Sequence, residues 1–145
     1  MNWNEKCVLE LTHHNLFDTT EHRQRFIELL GCYYHASFFT KGLCKCMFLA
    51  CWDDEHFIEI LTMLNELTIN GSKNLKAMKD HGHSLVEQSE GTDNEIYRLS
   101  ASFLSHTYYR LPDFSRIDPD TAHIIRQSLM ASRLIDDLPD PHMIS

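Results

Sequence analysis

Carboxylates are concentrated in one segment of this 145-residue chain. Residues 53–95 carry ten acidic side chains and only three lysines, so this segment accounts for seven of the eight net negative charges. The acidic residues are Asp53, Asp54, Glu55, Glu59, Glu66, Asp80, Glu87, Glu90, Asp93 and Glu95. A local negative field attracts basic groups and repels the phosphates of nucleic acid. The segment therefore predicts a surface for a basic partner.

Three of these carboxylates follow a helical repeat. Glu55, Glu59 and Glu66 recur at i, i+4 and i+11, which places them on one face of a helix, opposite a stripe of leucine and isoleucine. Asp53 and Asp54 precede them, where the positive end of a helix dipole stabilises negative charge. We predict that these five residues form the partner-binding surface.

Two other interpretations of the acidic face remain open. The face is either an ordinary solvated surface or a set of partners for basic side chains elsewhere in the fold. His123, Arg126 and Arg133 form a basic line near the C-terminus that could supply such pairs. Ion pairs between exposed side chains contribute little to stability.

The cysteines raise the possibility of a metal or redox centre. Cys44, Cys46 and Cys51 lie together in an apolar run. Residues two apart on a helix point about 200° away from each other, so the first two cannot chelate one ion there. We expect buried, unreactive thiols, with Cys51 as the candidate for a reactive one because it lies nearest to His56. An odd number of irregularly spaced cysteines favours reduced thiols in the cytoplasm.

The ten histidines supply further candidate ligands. His56 follows three acids and is expected to be a surface histidine beside them. His81 and His83 flank Gly82 in a predicted loop that could hold a divalent ion weakly. His22 is expected to be an exposed polar position. None of these patterns has the spacing of a known metal motif, so we predict no metal and no cofactor.

An enzymatic alternative depends on Arg116 and His123. Their separation loosely resembles the arginine and histidine of all-α ribonucleases of the HEPN type, and the resemblance would imply that both residues act on RNA. Pro119 lies between them, and Ile117 occupies the position where that family has a polar residue. The negative net charge also opposes RNA binding.

Helical periodicity and capping signals run along the whole chain. The patterns predict an all-α, single-domain bundle of about six helices over residues 1–135, followed by an exposed tail at 136–145. Helices are expected near residues 3–14, 20–39, 42–52, 54–69, 72–79, 93–110 and 119–135, with short breaks between some of them. Gly31 indicates either a close helix neighbour or an interruption. No signal peptide or membrane span is expected.

The properties together favour a non-enzymatic acidic protein that neutralises or chaperones a basic protein. In charge, size and fold class the chain is similar to small toxin-immunity proteins, antitoxins and phage inhibitors of nucleic-acid enzymes. Occlusion by the five carboxylates is the expected mechanism, without contact to nucleic acid or membrane. Aromatic anchors of the contact are expected among Trp52, Tyr97, Tyr108 and Tyr109.

Overall fold

The computed structural model describes residues 1–70 and 75–142, apart from the side chains at 66–70, 75–78, 81, 82 and 92. The described chain folds into seven α-helices and one 3₁₀ turn, Phe114–Arg116, and contains no strand. The helices are α1 (Trp3–His13), α2 (Thr20–Tyr33), α3 (Lys41–Ala50), α4 (Asp54–Asn70), α5 (Leu75–Gln88), α6 (Gly91–Ser105) and α7 (Pro119–Asp136). The predicted all-α, single-domain bundle is confirmed.

Helix α3 is the centre of the bundle. It packs against α2, α4, α6 and α7, and every residue from Gly42 to Ala50 is buried. The apolar run was compatible with a strand or a helix, and the predicted helix is confirmed. Lys45 is accommodated because its ammonium lies 2.7 Å from the Asp136 carboxylate. Gly42 lets α6 approach, since a Cβ there would collide with the Phe103 carbonyl oxygen.

Side-chain caps fix the starts of several helices. Thr19 accepts a hydrogen bond from the amide of His22, and Thr40 accepts one from the amide of Leu43. Asp118 accepts hydrogen bonds from the first-turn amides of α7, and Pro119 follows it at the first helical position. The cap predicted from the Asp118-Pro119 pair is therefore present. Asp118 supplies the side-chain acceptor, and Pro119 has no backbone N–H that would need a partner.

Several predicted boundaries were wrong. Helix α2 ends at Tyr33, and neither expectation for Gly31 holds, since it is exposed within the helix with open space beside it. Helix α5 passes without a break through the segment that contains Gly82. A glycine inside a helix costs only about 1 kcal/mol, which packing of α5 against α6 offsets. The predicted cap at Ser72 lies outside the described residues.

Helix α6 was also placed wrongly. It begins at Gly91, two residues before the expected start, and ends at Ser105, five residues before the expected end. His106 adopts a left-handed conformation with φ of 54° and donates its amide hydrogen to the Ser102 carbonyl. That conformation satisfies a terminal carbonyl of the helix and turns the chain away.

The C-terminal segment lies against the first half of the bundle. The indole of Trp3 donates a hydrogen bond to the Pro139 carbonyl at 2.7 Å, and His142 contacts the Phe39 carbonyl through Nε2 at 2.6 Å. The Lys41 ammonium also donates to the carbonyl of Leu138. No described helix is both long and apolar enough to cross a bilayer.

Candidate functional site

His56 is held at the start of α4 by Asp53. The carboxylate of Asp53 accepts the backbone amide of His56 at 2.8 Å, which caps the helix. It also contacts ring Nδ1 at 2.7 and 2.8 Å. A carboxylate only accepts hydrogen bonds, so Nδ1 must carry the hydrogen. Asp53 therefore fixes both the helix start and the orientation of the imidazole.

The expectation that His56 lies on the surface was wrong. The residue is only 6% exposed. It precedes buried Ile60 by one helical turn and buried Leu64 by two, so it belongs to the inward face of α4. This periodicity was present in the sequence and would have identified the buried histidine.

The opposite edge of the imidazole faces α6. Nε2 lies 3.6 Å from the Asp93 carboxylate, which is too long for a hydrogen bond. The Tyr97 ring is centred 5.5 Å from the imidazole. Within the described part of the chain, Nε2 is buried and has no hydrogen-bond partner. The available hydrogen-bonding atom of His56 is therefore Nε2.

A pocket of about 40 Å³ adjoins His56, and we call it the His56 pocket. Helices α3, α4, α5 and α6 line it, and its walls are mainly apolar. Ile60, Met63 and Ile96 form part of these walls, whereas Glu59 and Tyr97 contribute polar groups. Buried apolar walls with a few converging polar groups are typical of binding sites.

Burial, hydrogen bonds and neighbouring charges shift the pKa values of Asp53 and His56. Burial alone would raise the pKa of Asp53, but hydrogen bonds from the ring and amide of His56 lower it below its usual value. Burial would lower the pKa of His56, but its hydrogen bond to Asp53 and the charges of Asp53, Asp93 and Glu55 raise it. The pair is stabilised as carboxylate and imidazolium.

Several carboxylates act on the phenol of Tyr97. Burial, followed by the negative charges of Glu59, Asp93, Glu55 and Asp53, raises the pKa of its phenol to about 12. Four carboxylates on two helices therefore act on one side chain. We call Asp53, Asp54, Glu55, Glu59 and Asp93 the acidic cluster.

The predicted site residues differ in their surroundings. Asp54 is 82% exposed and forms an ion pair with Arg25 of α2. Glu55 is exposed, and Glu59 is partly buried at the pocket. The side chain of Glu66 is not part of the described structure. Asp93 was not selected from the sequence as a site residue, because only folding brings it beside α4.

Two of the three basic residues of α7 contact side chains outside the acidic face. The carboxylate partner of His123 is Asp18, at 2.6 Å, and the guanidinium of Arg126 lies over the Phe114 ring at 4.2 Å. The ion pair that Asp54 does form comes from α2, through Arg25. In the contacts described, His123 and Arg126 of α7 and Asp54 of the acidic cluster thus have separate partners.

The two residues of the ribonuclease alternative are held by different carboxylates. Arg116 is 85% exposed and lies 3.5 Å from Asp113 on its own 3₁₀ turn. His123 is on α7 and contacts Asp18. These contacts do not direct the two side chains toward a common point.

The cysteine thiols diverge as helical geometry requires. The sulfur of Cys44 lies 3.8 Å from that of Cys7, whereas Cys46 donates to the Ser100 carbonyl at 3.2 Å. Burial raises the pKa of the Cys51 thiol well above its usual range, which disfavours the reactive thiolate. Cys32 alone is exposed among the five free cysteines.

The other candidate histidines and the candidate aromatic anchors lie in different surroundings. His22 was expected to be exposed and is instead fully buried. His81 and His83 are both positions of helix α5, where residues two apart lie on different faces of the helix. The part of the chain that is described contains no group of three side chains suited to a metal. Tyr108 is 91% exposed, whereas Trp52, Tyr97 and Tyr109 are partly buried.

No protein-family model, curated protein or solved structure matches the chain.

Proposed function

We propose that the chain is a non-enzymatic binding protein that captures a basic protein through the acidic cluster. The observation that carries this proposal is that Asp53 and Asp93 converge on His56 from two sides, 2.7 and 3.6 Å from its ring nitrogens, with Glu55 on the first turn of α4 beside them. Like charges held together in a fold oppose its stability, so a partner of opposite charge gains energy by meeting them.

Part of the cluster keeps a negative excess in the contacts that are described. Arg25 pairs with Asp54, and His56 lies between Asp53 and Asp93, with exposed Glu55 beside them. In these contacts, Asp53, Glu55 and Asp93 face at most the one positive charge of His56. The ion pair of Asp54 is also weak, because that carboxylate is largely solvated. The excess can therefore steer a basic molecule toward this end of the bundle.

The mechanism is occlusion. Lysines and arginines that a partner uses to hold nucleic acid would be covered by the carboxylates, as in an immunity protein, antitoxin or phage inhibitor. The same charge keeps nucleic acid itself away. Five cysteines without a disulfide are consistent with action in the cytoplasm.

The test is the double variant Glu55→Lys plus Glu59→Lys. The protein is used as bait in native cytosol, and the captured partner is then measured by association kinetics at low and high salt. We expect a basic partner whose association slows by about 10- to 100-fold in the variant, since electrostatic steering acts mainly on the association rate. Salt should reduce the difference.

The matched control is Glu21→Lys plus Glu28→Lys on α2. It makes the same charge change at two exposed positions, and Glu21 also lies in the first turn of its helix. The control should associate at nearly the wild-type rate. Equal slowing by both variants, or a captured partner that is acidic, would refute the acidic cluster as the docking surface.

A further inference from the structure

Carboxylates lie beside the small, mainly apolar His56 pocket. Asp53 and Glu55 act on His56 from the start of α4, and Asp93 and the Tyr97 ring face it from α6, whereas Glu59 lines the same pocket. Uncharged Cys46 lines it from α3 and Leu85 lines it from α5. Arg25, on α2, is occupied by Asp54 and the Cys51 carbonyl. The described charges around the imidazole are thus predominantly negative.

The hydrogen bonds of His56 determine what its free nitrogen can do. Nδ1–H is committed to Asp53, so the neutral imidazole has its lone pair on Nε2. Nε2 is buried and has no hydrogen-bond partner among the described residues, and His56 is one of the residues that line the pocket. A cationic N–H donor at this edge of the ring could hydrogen-bond to this lone pair while it interacts with the Asp93 carboxylate, which lies 3.6 Å from Nε2. The imidazolium form would instead repel the same cation.

The size of the pocket restricts the cation. Its volume of about 40 Å³ corresponds to roughly three atoms of water size. An ammonium with its last two methylenes fits that volume, and the methylenes would contact Ile60, Met63 and Ile96. A planar guanidinium is larger and needs a wider site.

We propose that the His56 pocket binds the end of a lysine side chain from the basic partner, and that this binding releases the Nε2 proton of His56 to solvent. This inference rests on the proposed function and identifies its anchor. Each lysine bound to the imidazolium form displaces one proton, and the ammonium keeps all three of its own hydrogens. Charge and atoms therefore balance without a covalent step.

The coupling gives the site a defined pH dependence. Where His56 is protonated in the free protein, the affinity for an ammonium should rise up to tenfold per pH unit, because one proton leaves for each cation bound. Above the pKa of folded His56 the affinity should level off. The hydrogen bond to Asp53 and the charges of Asp53, Asp93 and Glu55 raise that pKa, so the rise extends above the usual titration range of histidine.

The test uses the full chain with propylammonium chloride as the probe. Propanol and sodium propionate are the neutral and anionic controls of the same chain length. Titrations are followed by NMR at the methyl groups of Ile60 and Ile96 and at the ring nitrogens of His56. We expect saturable binding of propylammonium in the millimolar range and a shift of His56 to the neutral Nδ1–H form. Calorimetry in two buffers of different ionisation enthalpy measures the released proton.

Three results would overturn the inference. They are tighter binding of propanol or propionate, binding of propylammonium without proton release from His56, and no saturable binding up to about 100 mM, a concentration at which even a ligand of four heavy atoms should be detected. All three measurements use the wild-type protein, so they do not depend on whether a variant folds.

The variant Asp93→Asn tests the counter-charge. It should weaken propylammonium binding about tenfold, because Asp93 is the carboxylate next to Nε2. Asp137→Asn, at an exposed position after α7 with no described contact to His56, should not weaken it. If propylammonium enters the pocket but Glu55→Lys plus Glu59→Lys leaves partner capture unchanged, the proposed function fails alone. If that variant loses the partner and propylammonium does not bind, only the lysine anchor fails.

Discussion

His22 and His56 occupy equivalent positions in two helices, but their pKa values are shifted in opposite directions. Each lies three residues after a capping side chain that accepts its backbone amide, Thr19 for His22 at 3.0 Å and Asp53 for His56 at 2.8 Å. Each is buried, and each precedes buried apolar residues of its own helix, Phe26 in α2 and Ile60 in α4, by one turn. Local sequence thus places the two rings in the same way.

The surroundings of the rings are opposite. His22 donates Nε2–H to the Phe48 carbonyl at 2.8 Å and packs beside the rings of Phe17 and Phe48. Burial lowers its pKa, so the neutral form is favoured. His56 donates Nδ1–H to a carboxylate and has a raised pKa. The two pKa shifts are opposite because the capping residue is a carboxylate before His56 and a hydroxyl before His22, and because packing adds Asp93 to the first ring and phenylalanines to the second.

The largest expected effect comes from removal of the apolar histidine. His22→Ala deletes a buried ring and the hydrogen bond to the Phe48 carbonyl, which lies in the last turn of α3. We expect the free energy of unfolding to fall by about 3 kcal/mol, measured by urea denaturation at pH 7.5. His13→Ala, at an exposed position of α1, is the control and should stay within about 0.5 kcal/mol of wild type. Similar losses in the two variants would show that His22 is not a core residue.

The sequence allowed much of the helical framework to be predicted. The run around α3 was assigned as a helix because no other segment could pair with it as a strand, and Asp118-Pro119 marked the start of α7. The end of α6 was not predictable, because Tyr108 and Tyr109 continue a plausible apolar pattern beyond Ser105. Only the left-handed conformation of His106 terminates the helix.

The candidate site was predictable on one helix only. Asp53, Glu55 and Glu59 are close in sequence, so helical periodicity grouped them. Asp93 lies in a later helix, and its approach to His56 depends on packing. The burial of His22 and His56 was missed because histidine was treated as a surface residue, although both continue the apolar stripes of their helices.

The second prediction separates the charge of Asp53 from its capping role. Asp53→Asn keeps a good helix cap but removes the partner of the imidazolium. The pKa of His56 should therefore fall, and the free energy of unfolding at pH 5.5 should fall by about 1 kcal/mol, allowing for solvent around the partly exposed carboxylate. NMR titration and urea denaturation measure the two effects.

The sign of the pH dependence follows from the two shifts. Asp53 has a lowered pKa and stabilises the fold above its unfolded value of 3.8, whereas His56 has a raised pKa and stabilises it below 6.5. The loss in Asp53→Asn should thus be greatest between these values and shrink as pH rises through the pKa of folded His56. Asp54→Asn, the neighbouring control, should lack this profile. An equal loss in Asp53→Asn at pH 5.5 and 9 would refute the ion pair.

The smallest expected effect comes from Arg25, which acts on both histidine sites. Its positive charge lowers the pKa of His22 by repulsion and contributes to the lowered pKa of Asp53 by attraction. Arg25→Gln should therefore raise the pKa of both groups, by less than Asp53→Asn changes that of His56. NMR titration at low salt measures the shifts, and added salt should reduce them. Arg23→Gln, exposed on the same helix, is the control. A rise at only one site would mean that Arg25 acts through local structure, because a charge acting through space must affect both groups.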